Sequence, residues 1–566
     1  NIELPSSLEF FGDEVFRSCG DLETISIPEG ITHLGESVFY LCTDLSFVQL
    51  PAFLETIGPS AFSGCWSLAS INIPDSVEMI GESAFRGCRS LTSISIPHSL
   101  TMLEDYVFAD CFEMMAVEIP ANVSFIGSNV FYLCYGLNEI TVVDQNTHYV
   151  SDSGVLFSAQ KEKLIQYPIG KTEVSYAIPS GVISIEESAF QGATLELIQI
   201  PSTVEEIGRS AFESCWSLEE AHLPNELLYL GEYAFRECRE LKTISIPGSL
   251  EFIGKGAFYE NRLLQEVRIP GSVSHIGSNA FFGCSDLRRV FIEEGIEFIG
   301  PGAFRDCREL TDLELPIGLE RIPERAFSGT GVSRIEFPDG LRRIGAEAFG
   351  GCNLLNSIRF PNTLESIGEY AFENCDALTS VTFPESLQWM GGRAFILSNG
   401  IESFYFLGDA PEPEGVVFSR DIDGGTVYFF DDAEGFTQPT WAELPTVNLG
   451  PRSGSIAWLI ENNLTHETDL ASDPIQSGYP LLVNYALDQN PGHYNPPLAA
   501  VSEDDSTFSF FGGREDVTYT VEISKDLTTW TTTGVTLTEP DMDGMRIASI
   551  NLQDGRCFVR FGFAQE

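Results

Sequence analysis

Leu91-Thr92-Ser93-Ile94-Ser95-Ile96-Pro97-His98-Ser99-Leu100-Thr101-Met102-Leu103, continued to Phe108-Ala109-Asp110-Cys111, is the stretch that decides the fold. Its opening alternates apolar and polar residues, the mark of a strand with one buried face. Pro97 cannot donate to a ladder and ends that strand. A second short extended segment follows, as in Val77-Glu78-Met79-Ile80 of the preceding unit. It runs into Gly81, where glycine is expected to permit a turn with positive φ. The segment Ser83-Ala84-Phe85-Arg86-Gly87-Cys88 predicts a short helical turn that pushes Phe85 inward.

The unit recurs along the chain. Phe16, Phe39, Phe62, Phe85, Phe108 and Phe131 keep step at 23 residues, and Phe190 to Phe395 resume at 22 or 23 after one gap of 59. Proline precedes each of these sixteen Phe by eleven residues, except at Glu293. Cysteine follows by three residues in twelve copies, with Ala193, Asn261, Thr330 and Ser398 in the others. A single unit cannot bury its own apolar side chains. Stacking units about 4.8 Å apart makes internal columns of Leu, Ile, Phe and Cys. Each buried Phe contributes roughly 1.5–3 kcal/mol before ordering costs. Contacts are nearest-neighbour, so stability accumulates coil by coil.

The pattern L-x-x-I-x-I-P-x-x-[VL]-x-x-I-G-x-x-A-F-x-x-C resembles the BspA-like, or Treponema pallidum type, leucine-rich repeat, over about residues 1–407. The resemblance implies a right-handed solenoid of about 16 coils of 22–23 residues, with a parallel β-sheet on one face and short helical turns. It also implies secreted or cell-surface proteins, some of them adhesins, and no enzyme activity or catalytic residues.

Departures from the repeat mark the domain plan. The long gap holds about 36 extra residues near 142–177, whose turns at Gly154 and Lys161-Glu162-Lys163 suggest a β-hairpin. After Phe395 the pattern fades, and aromatic-rich 408–450 reads as a cap over the last coil. No equivalent cap precedes Ile2, and the chain opens at Asn1, without Met, inside a repeat. Processing or truncation is expected there in preference to head-to-tail assembly. Residues 451–566 read as a separate module. Short helices are expected at 457–464 and 479–487, then a small β-sandwich with strands at Thr518–Ile523 and Cys557–Phe561. The stretches Leu481–Leu487 and Val521–Trp530 are similar to C-terminal modules of large secreted bacterial proteins. Such modules carry an Asp-rich calcium loop, which is degenerate here at Asp469-Leu470-Ala471-Ser472-Asp473-Pro474.

Charge narrows the partners. The 83 acidic against 31 basic residues give a formal net charge of −52. Such a surface repels nucleic acid and anionic lipid, and no stretch approaches the roughly 18 apolar residues of a membrane span. Twelve of the thirteen cysteines share one phase of the repeat, which points to reduced packing thiols; no zinc spacing occurs among them. The seven His are scattered, and no nucleophile, phosphate-loop or dinucleotide motif stands in a fitting context. Asp421-x-Asp423-Gly424 and Asp541-x-Asp543-Gly544 lack the later ligands of a calcium loop, so turn chemistry explains them better. No cofactor is expected, and calcium has weak support.

The outward position between the two strand isoleucines offers the best clue to function. It begins small or polar at Ser26, Gln49, Asn72 and Ser95, and later reads Arg268, Phe291, Glu314, Glu336 and Arg359. Twelve Arg fall between residues 262 and 359. Arg beside an exposed aromatic is the composition of binding hot spots. Arg268, Arg289, Phe291, Arg334 and Arg359 therefore form the candidate binding surface, with salt pairing to nearby Glu as the competing explanation. The expected function is a non-catalytic, secreted or cell-surface adhesion protein that binds a protein or glycan. The alternative is a self-assembling subunit of an extracellular filament or coat.

Overall fold

The computed structural model describes residues 2–413, 417–418, 425–452 and 460, together with the backbone of five strands between 507 and 565. Nearly every coil contributes one strand to each of two parallel ladders. In the first ladder Thr24–Ser26 pairs with Phe47–Gln49, and Glu266–Ile269 with Arg289–Ile292 and then Asp312–Glu314. In the second, strands of two residues stack in the same sense: Thr56–Ile57 on Met79–Ile80, Phe252–Ile253 on His275–Ile276 and on to Phe298–Ile299. In most strands the inner residue is buried and the outer one faces solvent, as period-two alternation requires.

The third side of the coil is a chain of turns, and the expected short helical turn is absent among the described residues. Ser83 and Gly87 take φ of 57° and 72°. This left-handed geometry recurs two residues before and two after each of the sixteen Phe, as at Ser37 and Leu41, Asn129 and Leu133, Tyr370 and Asn374. Within a coil Arg86 N–H donates to Ser83 O at 3.0 Å. The Phe62 N–H donates instead to Ala84 O of the next coil, at 2.8 Å. A helix would consume these N–H groups within the coil. Positive φ on either side of each Phe, four residues apart, aims them along the rod, so the turns become a third inter-coil ladder.

Gly81 also has a different reason from the one expected: it is absent from the positive-φ residues. A Cβ there would lie 2.6 Å from Pro59 N, and one on Gly277 2.5 Å from Lys255 N. Glycine at this phase is required because adjacent backbones touch.

On each side of the insertion the Phe residues form a stacked internal column. Phe39 and Phe62 have ring centroids 5.3 Å apart at 14°, and Phe281 and Phe304 5.2 Å apart at 1°. The thiol column beside it is hydrogen-bonded. Cys65 Sγ donates to Phe39 O at 3.2 Å, and Cys238 Sγ to Phe212 O at 3.1 Å. At Ser398 the hydroxyl makes the same bond to Phe372 O at 2.7 Å. The position thus selects a small side chain with a weak donor. The twelve described cysteines are all free, and burial pushes the Cys42 thiol up to about 11 and Cys134 up to about 12.

The insertion divides this interior. Tyr149–Asp152 runs antiparallel to Val155–Ser158, which runs antiparallel to Lys163–Gln166. The last of these rejoins the second ladder, parallel to Ser184–Ile185. Leu156 packs into the core that extends from Phe11 to Ile140. Its neighbours Val155 and Phe157 pack into the core that extends to Leu444. One alternating strand is therefore a wall with a coil block on each side. Tyr167 restarts the aromatic column, its ring 5.1 Å from that of Phe190.

Coils continue past the last Phe of the column. Ser403–Phe406, Thr426–Phe429 and Leu444–Asn448 add in parallel to Ser380–Phe383, giving about 18 turns in place of the 16 counted from Phe spacing. Phe404, Phe418 and Trp441 fill the final interior, with Phe404 and Phe418 centroids 4.4 Å apart. Beyond it, two antiparallel sheets are described. Val517–Ser524 pairs with Phe558–Gln565, while Met545–Ile550 pairs with Thr507–Phe511 and Val535–Leu537. The helices expected at 457–464 and 479–487 lie outside the described residues except for Ile460. The same holds for all three acidic loops considered for calcium.

Candidate functional site

Parallel register brings the predicted surface residues together on the first ladder. Arg268 lies opposite Phe291, and Phe291 opposite Glu314; Glu266 lies opposite Arg289, and Arg289 opposite Asp312. Two coils on, Arg334 lies opposite Ser357, and Glu336 opposite Arg359. The inner neighbours Val267, Val290, Ile335 and Ile358 are buried, so strand alternation forces the named residues outward. Phe291 is half-buried between Arg268 and Glu314.

Salt pairing occupies much of this face. Arg268 Nε meets Glu293 Oε1 at 2.8 Å, Arg289 Nε meets Asp312 Oδ2 at 3.4 Å, and Arg334 meets Glu336 at 3.0 Å. Arg359 makes no ion pair among the described residues. Glu293 also accepts from Gly271 N–H at 3.2 Å. Arg268 first, and then this N–H, hold the Glu293 carboxyl below the usual carboxylate range. Glu293 is the one residue that replaces the repeat proline, and its side chain ties two coils together. All three pairs are well exposed, and such pairs are worth about 0–1 kcal/mol. The Arg groups can exchange these partners for a ligand at little cost to the fold.

Two further surface clusters escaped sequence reasoning. On the second ladder the outward residues of four successive coils are Tyr229, Phe252, His275 and Phe298. The His275 ring lies 5.1 Å from Phe252 and 5.9 Å from Phe298. One residue after the cysteine phase, Arg89 is sandwiched between Trp66 at 4.6 Å and Phe112 at 5.4 Å, and Phe112 meets Tyr135 at 5.6 Å. Reading every repeat position as a column, six residues before Phe and four after it, would have found both. Only the position between the strand isoleucines was read that way.

Among the described residues no group of three or more His, Cys, Asp or Glu is placed to hold a metal ion. No helix there is long and apolar enough to cross a membrane.

The chain is similar to several solved structures. A leucine-rich repeat protein from Eubacterium ventriosum is 26% identical, with a TM-score of 0.48 over 60% of this chain and 84% of that one. A leucine rich cell surface protein from Faecalibacterium prausnitzii is 29% identical, with a TM-score of 0.42 over 54% and 82%. The pneumococcal vaccine antigen PcpA is 24% identical, with a TM-score of 0.40 over 62% and 75%. No curated protein matches the chain. The family model described as the BspA type leucine rich repeat region matches six copies, over residues 1–81, 55–169, 172–288 and 297–419. With most of its length matched by that model, and its coils stacked as that repeat requires, the chain belongs to the BspA type leucine-rich-repeat family.

Proposed function

We propose that this chain is a non-catalytic binding protein, secreted or displayed on a cell surface, that recognises a protein or glycan through the outward face of its first ladder. The observation that carries the reading is the convergence of Arg268, Arg289, Phe291, Arg334 and Arg359 on one face of a rigid stack of coils. Rigid elements hold contact groups in place before the ligand arrives, which reduces the ordering cost of binding. The exposed ion pairs are weak enough to open, Arg359 has no acidic partner among the described residues, and Phe291 supplies an apolar anchor. Repetition offers several contacts at once, so modest individual contacts sum to useful avidity.

The test is a panel of matrix proteins and glycans from the native environment, probed with the whole chain. Arg268→Glu, Arg289→Glu and Arg359→Glu in combination should abolish binding to whichever member is captured. Binding that persists in the triple variant rejects this face. Turnover of a glycan that survives repurification rejects the non-catalytic reading. Labelling of intact cells with an antibody to the solenoid checks the location.

A further inference from the structure

We propose that the second ladder, along Tyr229, Phe252, His275 and Phe298, docks a basic segment of a partner polypeptide carrying Lys or Arg. The inference rests on the reading of the chain as a binding protein, but it uses the other ladder.

Three large aromatic side chains stand exposed here, Tyr229 at 49%, Phe252 at 44% and Phe298 at 47%, in a row that His275 completes. The backbone beneath them is a strict parallel ladder, so the rings project at fixed intervals. Burial in the interior cannot explain these residues, because their strand neighbours Leu230, Ile253, Ile276 and Ile299 already fill that role. Four coils span about 15 Å, the reach of roughly five extended residues.

The charges around the row select the occupant. Glu206 lies opposite Tyr229 and closes one end. Glu251 and Glu297 stand exposed immediately before Phe252 and Phe298. None of these three carboxylates makes an ion pair among the described residues. On the first ladder, by contrast, two acids close to Phe291, Glu293 and Asp312, are already paired with Arg268 and Arg289. Aromatic faces attract ammonium and guanidinium groups, and unpaired carboxylates beside them add attraction of the same sign. Arg321 takes the equivalent position in the next coil and ends the patch with a positive charge. A neutral sugar would stack on the rings and hydrogen-bond the carboxylates but gain no charge attraction, and an anionic one would be repelled.

The experiment is fluorescence anisotropy of the whole chain with a labelled peptide of about eight residues alternating Lys or Arg with Ser, at about 0.15 M salt to screen diffuse attraction. A Glu-Ser peptide and cellohexaose serve as comparison probes. Phe252→Ser with Phe298→Ser should weaken basic-peptide binding about tenfold without changing charge. Phe252→Tyr should retain it. Glu251→Gln with Glu297→Gln should weaken it, whereas Glu118→Gln with Glu314→Gln, the same charge removed from the first ladder, should change it by less than about twofold. Equal losses from the two Gln pairs, or none from the Ser pair, overturn the proposal in favour of general charge attraction. Cellohexaose binding that disappears in the Ser pair also overturns it, while leaving the chain a binding protein. Absence of peptide binding overturns it too, and the Arg→Glu variants against the matrix panel then judge the broader reading independently.

Discussion

The coil block before the wall strand Val155–Ser158 and the block after it are built from one repeat, yet they treat the thiol position differently. Before the wall, every coil from Cys19 to Cys134 carries the sulfur. After it, Ala193, Asn261, Thr330 and Ser398 interrupt the column. Ser398 keeps the bond to the preceding Phe carbonyl, whereas Thr330 bonds to Phe327 O of its own coil at 2.9 Å. Buried Asn261 has neither amide atom partnered. The comparison teaches that the position demands small volume first and a donor second. The block with more exceptions is also the longer one, which spreads the cost of each over more coils.

The wall itself offers the largest test. Phe157→Ala should destabilise the second block by about 3–5 kcal/mol, and Leu156→Ala the first block by about 2–5 kcal/mol. Hydrogen exchange resolved by segment reads the difference. Equal loss of protection on both sides in both variants would break the division into blocks. Next in size, Gly81→Ala in the first block and Gly277→Ala in the second should each cost about 1–3 kcal/mol, because the new methyl meets the backbone of the preceding coil. Gly248→Ala has open space around it and should be close to neutral in chemical denaturation. A large loss at Gly248 would show that backbone freedom, and not coil contact, is the governing demand.

Asn261→Cys restores the column between Cys238 and Cys284. It should raise stability by about 1–3 kcal/mol by removing an unpaired buried amide. A lower denaturation midpoint would mean that the amide is satisfied by bound water. The last effect is alkaline. Cys42 keeps its proton in the folded chain up to about 11, against an ordinary value of 9.0. Between these values the unfolded chain releases the proton and the folded chain does not, so stability falls as pH rises. The loss should be steeper per coil in the first block, where the buried thiols are consecutive. Cys42→Ser should flatten it in urea titrations run from pH 8 to 11.

The candidate surface was only partly legible in the sequence. Arg268, Arg289, Phe291, Arg334 and Arg359 could be assigned to one outward face, because alternation across a strand leaves no other option. Their partners could not. The Arg268–Glu293 pair joins residues 25 positions apart through the loss of one repeat proline, and coil stacking alone brings them within 2.8 Å. The row from Tyr229 to Phe298 sits in strands of two residues, too short to show alternation within one coil, so only the column six residues before each Phe, followed across coils, carries its signal.

The sequence by itself determined the coil: its length, the strand that Pro ends, the buried Phe and the phase shared by the cysteines. These follow from local chemistry repeated in register. Only the tertiary structure decided how the coils use one another. It made the turns an inter-coil ladder through left-handed residues, required glycine for backbone contact and set a strand wall across the interior. Each of these depends on groups one full coil apart, and a side chain's neighbour at that distance is fixed by stacking, which no single repeat encodes.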